Sequence, residues 1–146
     1  MEVLIRDATA ADLPALLELL KQLDVGRDKD LPPAEACRIF ERVGTYPRYR
    51  VYVAEVDGRV AGTFALILID SIAHGGAPHG LVEDVVVAPA LQGRGVGRRM
   101  MRFAMDRCRD AGCYKMALSS HLSREKTHRF YESLGFEKHG FSFLVT

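Results

Sequence analysis

A turn rich in glycine and arginine is the segment of this sequence best suited to bind an anion. Residues 92–99 read Gln-Gly-Arg-Gly-Val-Gly-Arg-Arg and follow a valine-rich segment that ends at Pro89. Glycine lets a ligand approach the backbone closely, and free N–H groups at the start of a helix bind phosphate well. Because arginine adds permanent charge and forked donors, the turn predicts a phosphate or pyrophosphate site.

Two common phosphate-binding patterns do not fit this turn. A P-loop needs Gly-Lys-Ser/Thr at its end, whereas Gly97 is followed by two arginines. A dinucleotide fingerprint counted from Gly93 places Arg98 where its third glycine is required. The alternative without a ligand is a helix start whose glycines only permit tight packing. The clustering of three glycines and three arginines in residues 93–99 favours the anion site.

Two adjacent acids, Glu83 and Asp84, interrupt an otherwise apolar strand. A carboxylate at this position could remove a proton from an amine or bind its ammonium form. The alternative is a carboxylate at a strand end that pairs with a nearby arginine. Because successive side chains of a strand point to opposite faces, we expect at most one of the two acids to face a given cleft.

The five histidines and three cysteines show no spacing typical of a metal site or a disulfide framework. His74 and His79 flank a loop rich in glycine and could touch a substrate, although exposed loop histidines are the simpler interpretation. Cys108 falls on the apolar face of a predicted helix, where we expect it to be part of the core. The sequence therefore predicts no bound metal.

Hydrophobic periodicity predicts the elements that position these residues. Helices are predicted from a cap at Thr9 through Leu20, and over 34–43, 96–111 and 124–134. Strands are predicted over 3–6, 50–56, 60–69, 81–88, 115–119 and 136–145, with a hairpin turn at Asp57-Gly58. Loops are predicted over 24–33 and 74–80. This order predicts a mixed α/β sheet in a single domain, 1–146.

Composition indicates a globular protein whose charge is unevenly distributed. The 146 residues carry 20 basic and 19 acidic side chains, and 48% of them are hydrophobic. A net charge of +1 gives no sign of a nucleic-acid partner. Residues 92–110 nevertheless hold six arginines against two acids, which concentrates positive charge at the predicted phosphate site.

The termini and apolar runs predict a cytoplasmic protein without a membrane partner. The N-terminus lacks the basic start and long apolar core of a signal peptide. The longest apolar run, 60–69, has ten residues, about half of what a membrane helix needs.

Two motifs resemble those of the GNAT superfamily of N-acetyltransferases, and the resemblance covers essentially the whole chain. Gln92-x-x-Gly95-x-Gly97 resembles the acetyl-CoA pyrophosphate motif, Q/R-x-x-G-x-G/A. Residues 130–136, Phe-Tyr-Glu-Ser-Leu-Gly-Phe, are similar to the second signature, F-Y-x-x-x-G-F. Closer similarity is to the glucosamine 6-phosphate acetyltransferases over 82–87 and 112–115, and to aminoalkylphosphonate acetyltransferases over 118–120 and 128–131.

The resemblance implies a fold and a set of cofactor contacts. The fold would be a mixed, mostly antiparallel central sheet flanked by about four helices, with a splayed strand pair forming the acetyl-CoA cleft. The backbone of Val85, Val86 and Val87 would pair with pantetheine, and backbone amides from Gly93 through Arg98 would hold the pyrophosphate. The implied cofactor-binding residues of the turn and beyond are Gln92, Gly93, Arg94, Gly95, Val96, Gly97, Arg98 and Arg124. Arg124 replaces an asparagine that is frequent in the family, and could instead reach a phosphate.

The resemblance also implies two catalytic residues. Glu83 would be the base or the amine-binding group, while Asp84 or a water relay stays an alternative for the base. Tyr131 would be the general acid or would orient the thiol, because the high pKa of tyrosine keeps its proton available at neutral pH. The alternative for Tyr131 is packing on a helix face beside Phe130.

The function implied is acetyl transfer from acetyl-CoA directly to the primary amine of a small molecule. In the two groups of acetyltransferases named above, that molecule carries a phosphate or phosphonate group. Two alternatives remain at this point: acetylation of a protein lysine or N-terminus, and a non-catalytic module that senses CoA. Homodimers are common in the family, and the resemblance is compatible with a homodimer of this chain.

Overall fold

The computed structural model describes residues 1–23 and 30–146, in which the chain forms one five-stranded sheet in the order β1-β2-β3-β4-β5. The strands are β1 (Leu4–Asp7), β2 (Tyr49–Val56), β3 (Arg59–Ile69), β4 (His79–Val87) and β5 (Met116–Ala117). The first four pair antiparallel and β5 pairs parallel to β4. The predicted mixed, mostly antiparallel sheet is confirmed.

The helices of the described residues are α1 (Leu13–Leu20), α2 (Pro33–Val43), α3 (Val96–Asp110) and α4 (Glu125–Ser133). Short 3-10 turns lie at Ala10–Asp12, Lys21–Leu23, His74–Gly76 and Pro89–Leu91. Each helix lies within a few residues of its predicted range. Of the loop predicted over 24–33, residues 24–29 lie outside the described part of the chain. No helix in the described ranges is long and apolar enough to cross a membrane.

The β2–β3 hairpin forms where its turn residues predict. Asp57 and Gly58 both have positive φ, 50° and 73°. Two consecutive residues with positive φ are the requirement of a type I′ turn, whose twist matches that of the flanking strands. The turn therefore joins β2 and β3 as antiparallel neighbours in the sheet.

The core lies on both faces of the sheet. Helices α3 and α4 cover one face, where Phe64, Met100 and Tyr131 belong to one buried cluster, and the predicted core residue Cys108 belongs to it as well. Helix α1 covers the other face through Leu13 and Leu16, which pack with Val53. Gly62 of β3 permits close approach of α3, because a Cβ atom there would stand 2.8 Å from Met100 Sδ.

The prediction of a C-terminal strand over 136–145 is wrong. The described residues 136–146 include no strand, and no backbone hydrogen bond joins 137–146 to the rest of the described chain. Alternating apolar residues favour a strand, but a strand also needs a neighbouring edge. The segment passes near the end of β5, where Ser142 Oγ lies 3.1 Å from Ser119 Oγ, and β5 has two residues rather than the five predicted.

Candidate active site

A cleft of about 790 Å³ opens where β4 and β5 separate. The two strands pair only at Gly80–Met116 and Leu81–Ala117, and then diverge. The cleft is lined by the rest of β4, the glycine-rich turn, the segment 118–120 and residues of α4. The predicted splayed strand pair is therefore present, and residues of both sequence motifs line the same cavity.

The edge of β4 that faces the cleft lacks a strand partner among the described residues beyond Leu81. Val85, Val86 and Val87 line the cleft along this edge, and their contacts with pantetheine stay a prediction. The carbonyl of Val87 is already hydrogen-bonded, since it accepts from Gln92 Nε2 at 3.1 Å and from Gln22 Nε2 at 3.4 Å. Gln92 therefore ties the turn to the end of β4.

The glycine-rich turn presents backbone N–H groups at the start of α3. Gly93 and Gly95 adopt positive φ, 74° and 90°, which glycine tolerates without the usual Cβ penalty. The first backbone bond of the helix runs from Arg99 N to Gly95 O at 3.0 Å. The preceding N–H groups, those of Val96, Gly97 and Arg98, consequently have no acceptor within the helix.

Two predicted cofactor-binding residues contribute less than the motif implies. The Arg94 N–H already donates to the Leu91 carbonyl at 3.4 Å, and Arg94 is not among the residues lining the cleft. The side chain of Val96 is fully buried in the core, so only its backbone can face an anion. Gln92, Gly93, Gly95, Gly97, Arg98 and Arg124 all line the cleft.

Positive charge surrounds the phosphate end of the cleft. Arg98 lines it from α3, and Arg124 and Lys126 line it from the start of α4. Arg124 thus lines the cleft, and its contact with a phosphate stays a prediction. Lys126 was missed, and its signal would have been its position two residues after Arg124 in the first turn of the same helix.

Both predicted acids line the cleft, contrary to the expectation that at most one would. The pairs Thr63–Val86 and Ala65–Glu83 leave one β3 residue opposite two residues of β4, which is a β-bulge. Asp84 lies in the bulge with a φ of 54°. The bulge breaks the alternation of side chains, so Glu83 and Asp84 both contribute to the same wall.

The two carboxylates raise the pKa values of groups near them. Glu83 is exposed, but the partial burial of its carboxyl raises its pKa, and the charge of Asp84 raises it further. Tyr49 of β2 lies near enough to respond to them. Burial raises the pKa of its phenol, and the charges of Asp84 and Glu83 add to that increase. Tyr49 carried no sequence signal, because its proximity to Glu83 depends on the register of three strands.

Tyr131 stands on the opposite wall, in α4. Its side chain is 9% exposed, and its ring packs against Phe130 at 5.2 Å and Phe136 at 5.4 Å between centroids. Burial raises the pKa of the phenol and the charge of Arg124 opposes this increase. The phenol is therefore protonated at neutral pH and available as a proton donor.

One polar atom of the cleft is buried without a partner. Ser120 Oγ has no hydrogen-bond partner in the described structure although it lies on the lining. Burying a hydroxyl without a partner costs free energy. A ligand group that bonds to Ser120 would remove this cost.

These features together fit one kind of ligand. An unpaired strand edge suits a chain of amide groups, the N–H groups of α3 suit a pyrophosphate, and the surrounding cations suit additional phosphate. The pantetheine, pyrophosphate and phosphate of acetyl-CoA have this order. The described residues contain no group of three or more His, Cys, Asp or Glu side chains arranged to hold a metal ion.

Comparison with known proteins gives concordant results. Residues 13–136 match the family model described as "Acetyltransferase (GNAT) family". A glucosamine 6-phosphate N-acetyltransferase of Trypanosoma brucei brucei is 33% identical over 135 residues, which cover 88% of this chain and 85% of that protein. An aminoalkylphosphonate N-acetyltransferase of Salmonella typhimurium is 28% identical over 97 residues, 66% of this chain and 62% of that protein.

A solved structure agrees over nearly the whole fold. The structure of a protein from Agrobacterium tumefaciens strain C58, named as an acetyltransferase, superimposes with a TM-score of 0.92 at 32% identity. The superposition covers 98% of this chain and 99% of that one.

Proposed function

Because this chain belongs to the GNAT family of acetyltransferases and is an acetyl-CoA-dependent N-acetyltransferase, we propose that it transfers the acetyl group directly to a small primary amine bound beside Glu83. The resemblance predicted from the two motifs is thereby confirmed at the level of family, reaction and co-substrate. The acceptor and the residue roles are our proposal.

The observation that carries the proposal is the arrangement of charge along β4. The carboxylates of Glu83 and Asp84 lie in the middle of the strand, and the N–H groups of the turn follow its end. Carboxylates attract an ammonium group, and the turn attracts a pyrophosphate. One cleft thus offers an amine site and a phosphate site joined by an unpaired strand edge.

Glu83 takes the first proton in this scheme. An alkyl amine is mostly protonated at neutral pH, and its lone pair must be free before it attacks a carbonyl carbon. The raised pKa of Glu83 makes its carboxylate a stronger base than an ordinary glutamate. Since Glu83 is exposed, its carboxylate accepts the proton from the amine directly or through a water molecule.

Tyr131 supplies the last proton. As the carbon–nitrogen bond forms and the carbon–sulfur bond breaks, negative charge develops on the departing sulfur. The buried phenol of Tyr131 donates its proton to that sulfur, which leaves as a thiol. The phenolate is then reprotonated from solvent. The nitrogen loses its second proton to water as the intermediate collapses to the amide, and Glu83 returns its own proton to solvent, so protons and electron pairs balance.

The relatives support a small acceptor. The Trypanosoma protein is named for glucosamine 6-phosphate and the Salmonella protein for aminoalkylphosphonates, both small amines that carry an anionic group. We extend that class to this chain as the proposed acceptor. Acetylation of proteins and CoA sensing without catalysis are the outcomes that would replace it.

The test measures release of free thiol from acetyl-CoA with a panel of acceptors. The panel contains an amino sugar, its 6-phosphate, an aminoalkylphosphonate, a polyamine and a lysine-containing peptide. We expect the highest kcat/KM with a small phosphorylated or phosphonylated amine. Higher kcat/KM with the peptide would indicate a protein acetyltransferase. Acetyl-CoA binding by calorimetry without turnover on any amine would indicate a sensing module.

We also propose a cytoplasmic location and a homodimer. Cys37, Cys108 and Cys113 are free thiols, which supports a reducing compartment. The exposed apolar side chains of the C-terminal segment, Phe141 and Phe143 among them, support the homodimer.

A further inference from the structure

The start of α4 carries no side-chain cap. Arg124 occupies the N-cap position and forms no capping hydrogen bond, whereas helices usually begin at Ser, Thr, Asp or Asn. An arginine cannot cap a helix start, because its side chain has donors only. Another contact therefore has to fix the chain where it enters α4. This junction matters for the site because Arg124 lines the cleft.

His128, in the same helix, provides that contact. Its Nε2 atom lies 2.8 Å from the carbonyl oxygen of His121. A carbonyl oxygen only accepts, so Nε2 carries a proton and donates it in this bond. The same carbonyl accepts the backbone N–H of Arg124 at 3.0 Å. The carbonyl of His121 therefore joins the turn over 121–124 to the helix that follows it.

The side chain of His121 closes the same turn from inside. The backbone N–H of Ser123 donates to His121 Nδ1 at 3.1 Å, and Ser123 Oγ lies 2.8 Å from that nitrogen. A backbone N–H only donates, so Nδ1 is the acceptor. Neither His121 nor His128 is among the residues that line the cleft. Both histidines therefore act on the shape of the turn and not on a bound ligand.

The position of the Arg124 side chain depends on this turn. Among the described residues, the guanidinium of Arg124 forms no salt bridge with a carboxylate. Ordering a long side chain on binding costs conformational entropy. A fixed backbone at residue 124 reduces this cost, because it limits the region that the guanidinium can reach before the ligand arrives.

We propose that His128 is a positioning residue for acetyl-CoA: through the carbonyl of His121 it holds the guanidinium of Arg124 where it meets a phosphate of the co-substrate. The inference deepens the proposed function, because it rests on the predicted contact of Arg124 with a phosphate. It does not depend on the acceptor amine. Without the bond from His128 the turn over 121–124 would be free to adopt other conformations, and binding would have to order it.

The first experiment titrates coenzyme A into the protein by calorimetry, without an amine. His128→Ala should raise the Kd about two- to tenfold, the range expected for one hydrogen bond, with an unchanged far-ultraviolet circular dichroism spectrum. His128→Gln should bind like the original protein, since its amide N–H stands as far from Cβ as the Nε2–H of histidine does. His128→Asn has a shorter side chain that cannot reach the carbonyl, and it should resemble His128→Ala.

Ser133→Ala is the matched control on the same helix. Ser133 Oγ donates to the carbonyl of Phe130 at 2.6 Å, so this variant also loses one side-chain bond to a backbone carbonyl of the region. Ser133 does not line the cleft, and we expect an unchanged Kd for coenzyme A. A loss of affinity equal to that of His128→Ala would show that any weakening of α4 has the same effect, and would overturn the positioning role.

A double-mutant cycle tests whether His128 acts through Arg124. Arg124→Met removes the charge, keeps an unbranched aliphatic side chain, and should weaken the binding of coenzyme A. Adding His128→Ala to Arg124→Met should cause little further loss, because the guanidinium that His128 positions is already gone. Equal losses in the two backgrounds would show that the residues act independently.

The outcomes decide the proposal without reference to catalysis. An unchanged Kd in His128→Ala, a failure of glutamine to restore binding, or additivity in the cycle would overturn it. An unchanged Kd in Arg124→Met would also overturn it, since Arg124 would then hold no phosphate. Because no amine takes part, a wrong acceptor or a wrong role for Glu83 would leave these binding results as they are. Turnover of a small amine by an enzyme whose Kd is insensitive to His128 would keep the proposed function and remove this inference.

Discussion

Gly97 lies against the ring of Phe130. A Cβ atom added at Gly97 would stand 3.1 Å from Phe130 Cζ and 3.7 Å from Val87 Cγ2. Gly97 belongs to the first turn of α3, and Phe130 belongs to α4. The two motifs recognised in the sequence are therefore in direct contact, and this contact sets the distance between the N–H groups of α3 and the helix that carries Tyr131.

Gly97→Ala should disturb both helices. A Cβ contact of 3.1 Å is tighter than ordinary packing, so Phe130 must move or α3 must shift. We expect the KM for acetyl-CoA to rise several-fold and the melting temperature to fall. In a double-mutant cycle with Phe130→Leu, the destabilisation should be less than the sum of the single effects. Strictly additive losses of stability would show that the two residues do not constrain each other.

Tyr131→Phe should remove the proton donor while the ring contacts are kept. Since the phenyl ring still packs against Phe130 and Phe136, the fold should be unchanged. We expect kcat to fall on the order of 10²-fold or more, the usual scale for general acid–base groups, with little change in binding of acetyl-CoA. Tyr114→Phe, at an exposed tyrosine outside the cleft, serves as the control. A kcat for Tyr131→Phe within a factor of about two of the original would exclude proton donation by this residue.

Glu83 should determine the acidic limb of the pH profile. Its pKa is raised above the ordinary glutamate value, and the carboxylate is the active form, so kcat/KM should rise as the pH increases through that raised pKa. Glu83→Gln should lower kcat/KM on the order of 10²-fold or more and remove this limb. An unchanged acidic limb in Glu83→Gln would assign it to another group.

Asp84→Asn should move the same limb to lower pH. The charge of Asp84 contributes to the raised pKa of Glu83, and removing that charge lets Glu83 lose its proton more easily. Asparagine tolerates the positive φ of this position at least as well as aspartate does. We expect a shifted limb with most of the activity retained. Loss of activity at every pH without a shift would instead make Asp84 the base.

Local sequence signals predicted the parts of the fold that depend on neighbouring residues. Asp57-Gly58 specifies its turn through backbone conformation alone, and the glycines of the turn before α3 do the same. The bulge at Asp84 was missed because it arises from the register between β3 and β4, which alternation along one strand does not reveal. Gln22 was missed for a similar reason, since its contact with Val87 joins distant segments.

The C-terminal segment is a second case in which pairing between distant segments could not be predicted from the sequence. The residue types over 136–145 favour a strand, but the structure forms none there. Residue types do not say which sheet edge a segment pairs with, and this segment joins neither edge of the sheet in the described chain. Alternation of apolar and polar residues predicts a segment able to pair as a strand. Only the structure shows that this segment pairs with no strand among the described residues.

The ion pair between Arg6 and Asp12 should contribute stability that depends on pH. Asp12 is 8% exposed and accepts hydrogen bonds from Arg6 Nη1 at 2.8 Å, Arg6 Nη2 at 2.9 Å and the Thr9 backbone N at 2.7 Å. The bonds from Arg6, opposed by burial and aided by Thr9, lower the pKa of Asp12 to about 2. A depressed pKa in the folded state stabilises the protein above the ordinary aspartate pKa, and this contribution is lost as the pH falls towards 2.

Asp12→Asn should therefore destabilise the protein at neutral pH and much less at low pH. The shift in pKa corresponds to about 2 kcal/mol in the free energy of unfolding at pH 7, measured by urea denaturation. Asp106→Asn is the control, because Asp106 and Arg109 form an exposed pair at 2.8 Å whose loss should cost less than about 1 kcal/mol. Since protonation of Asp12 abolishes its charge, the difference between original and variant should shrink steadily from pH 5 to pH 2.5. A difference that stays constant over this range would show that Asp12 acts through hydrogen-bond geometry and not through its charge.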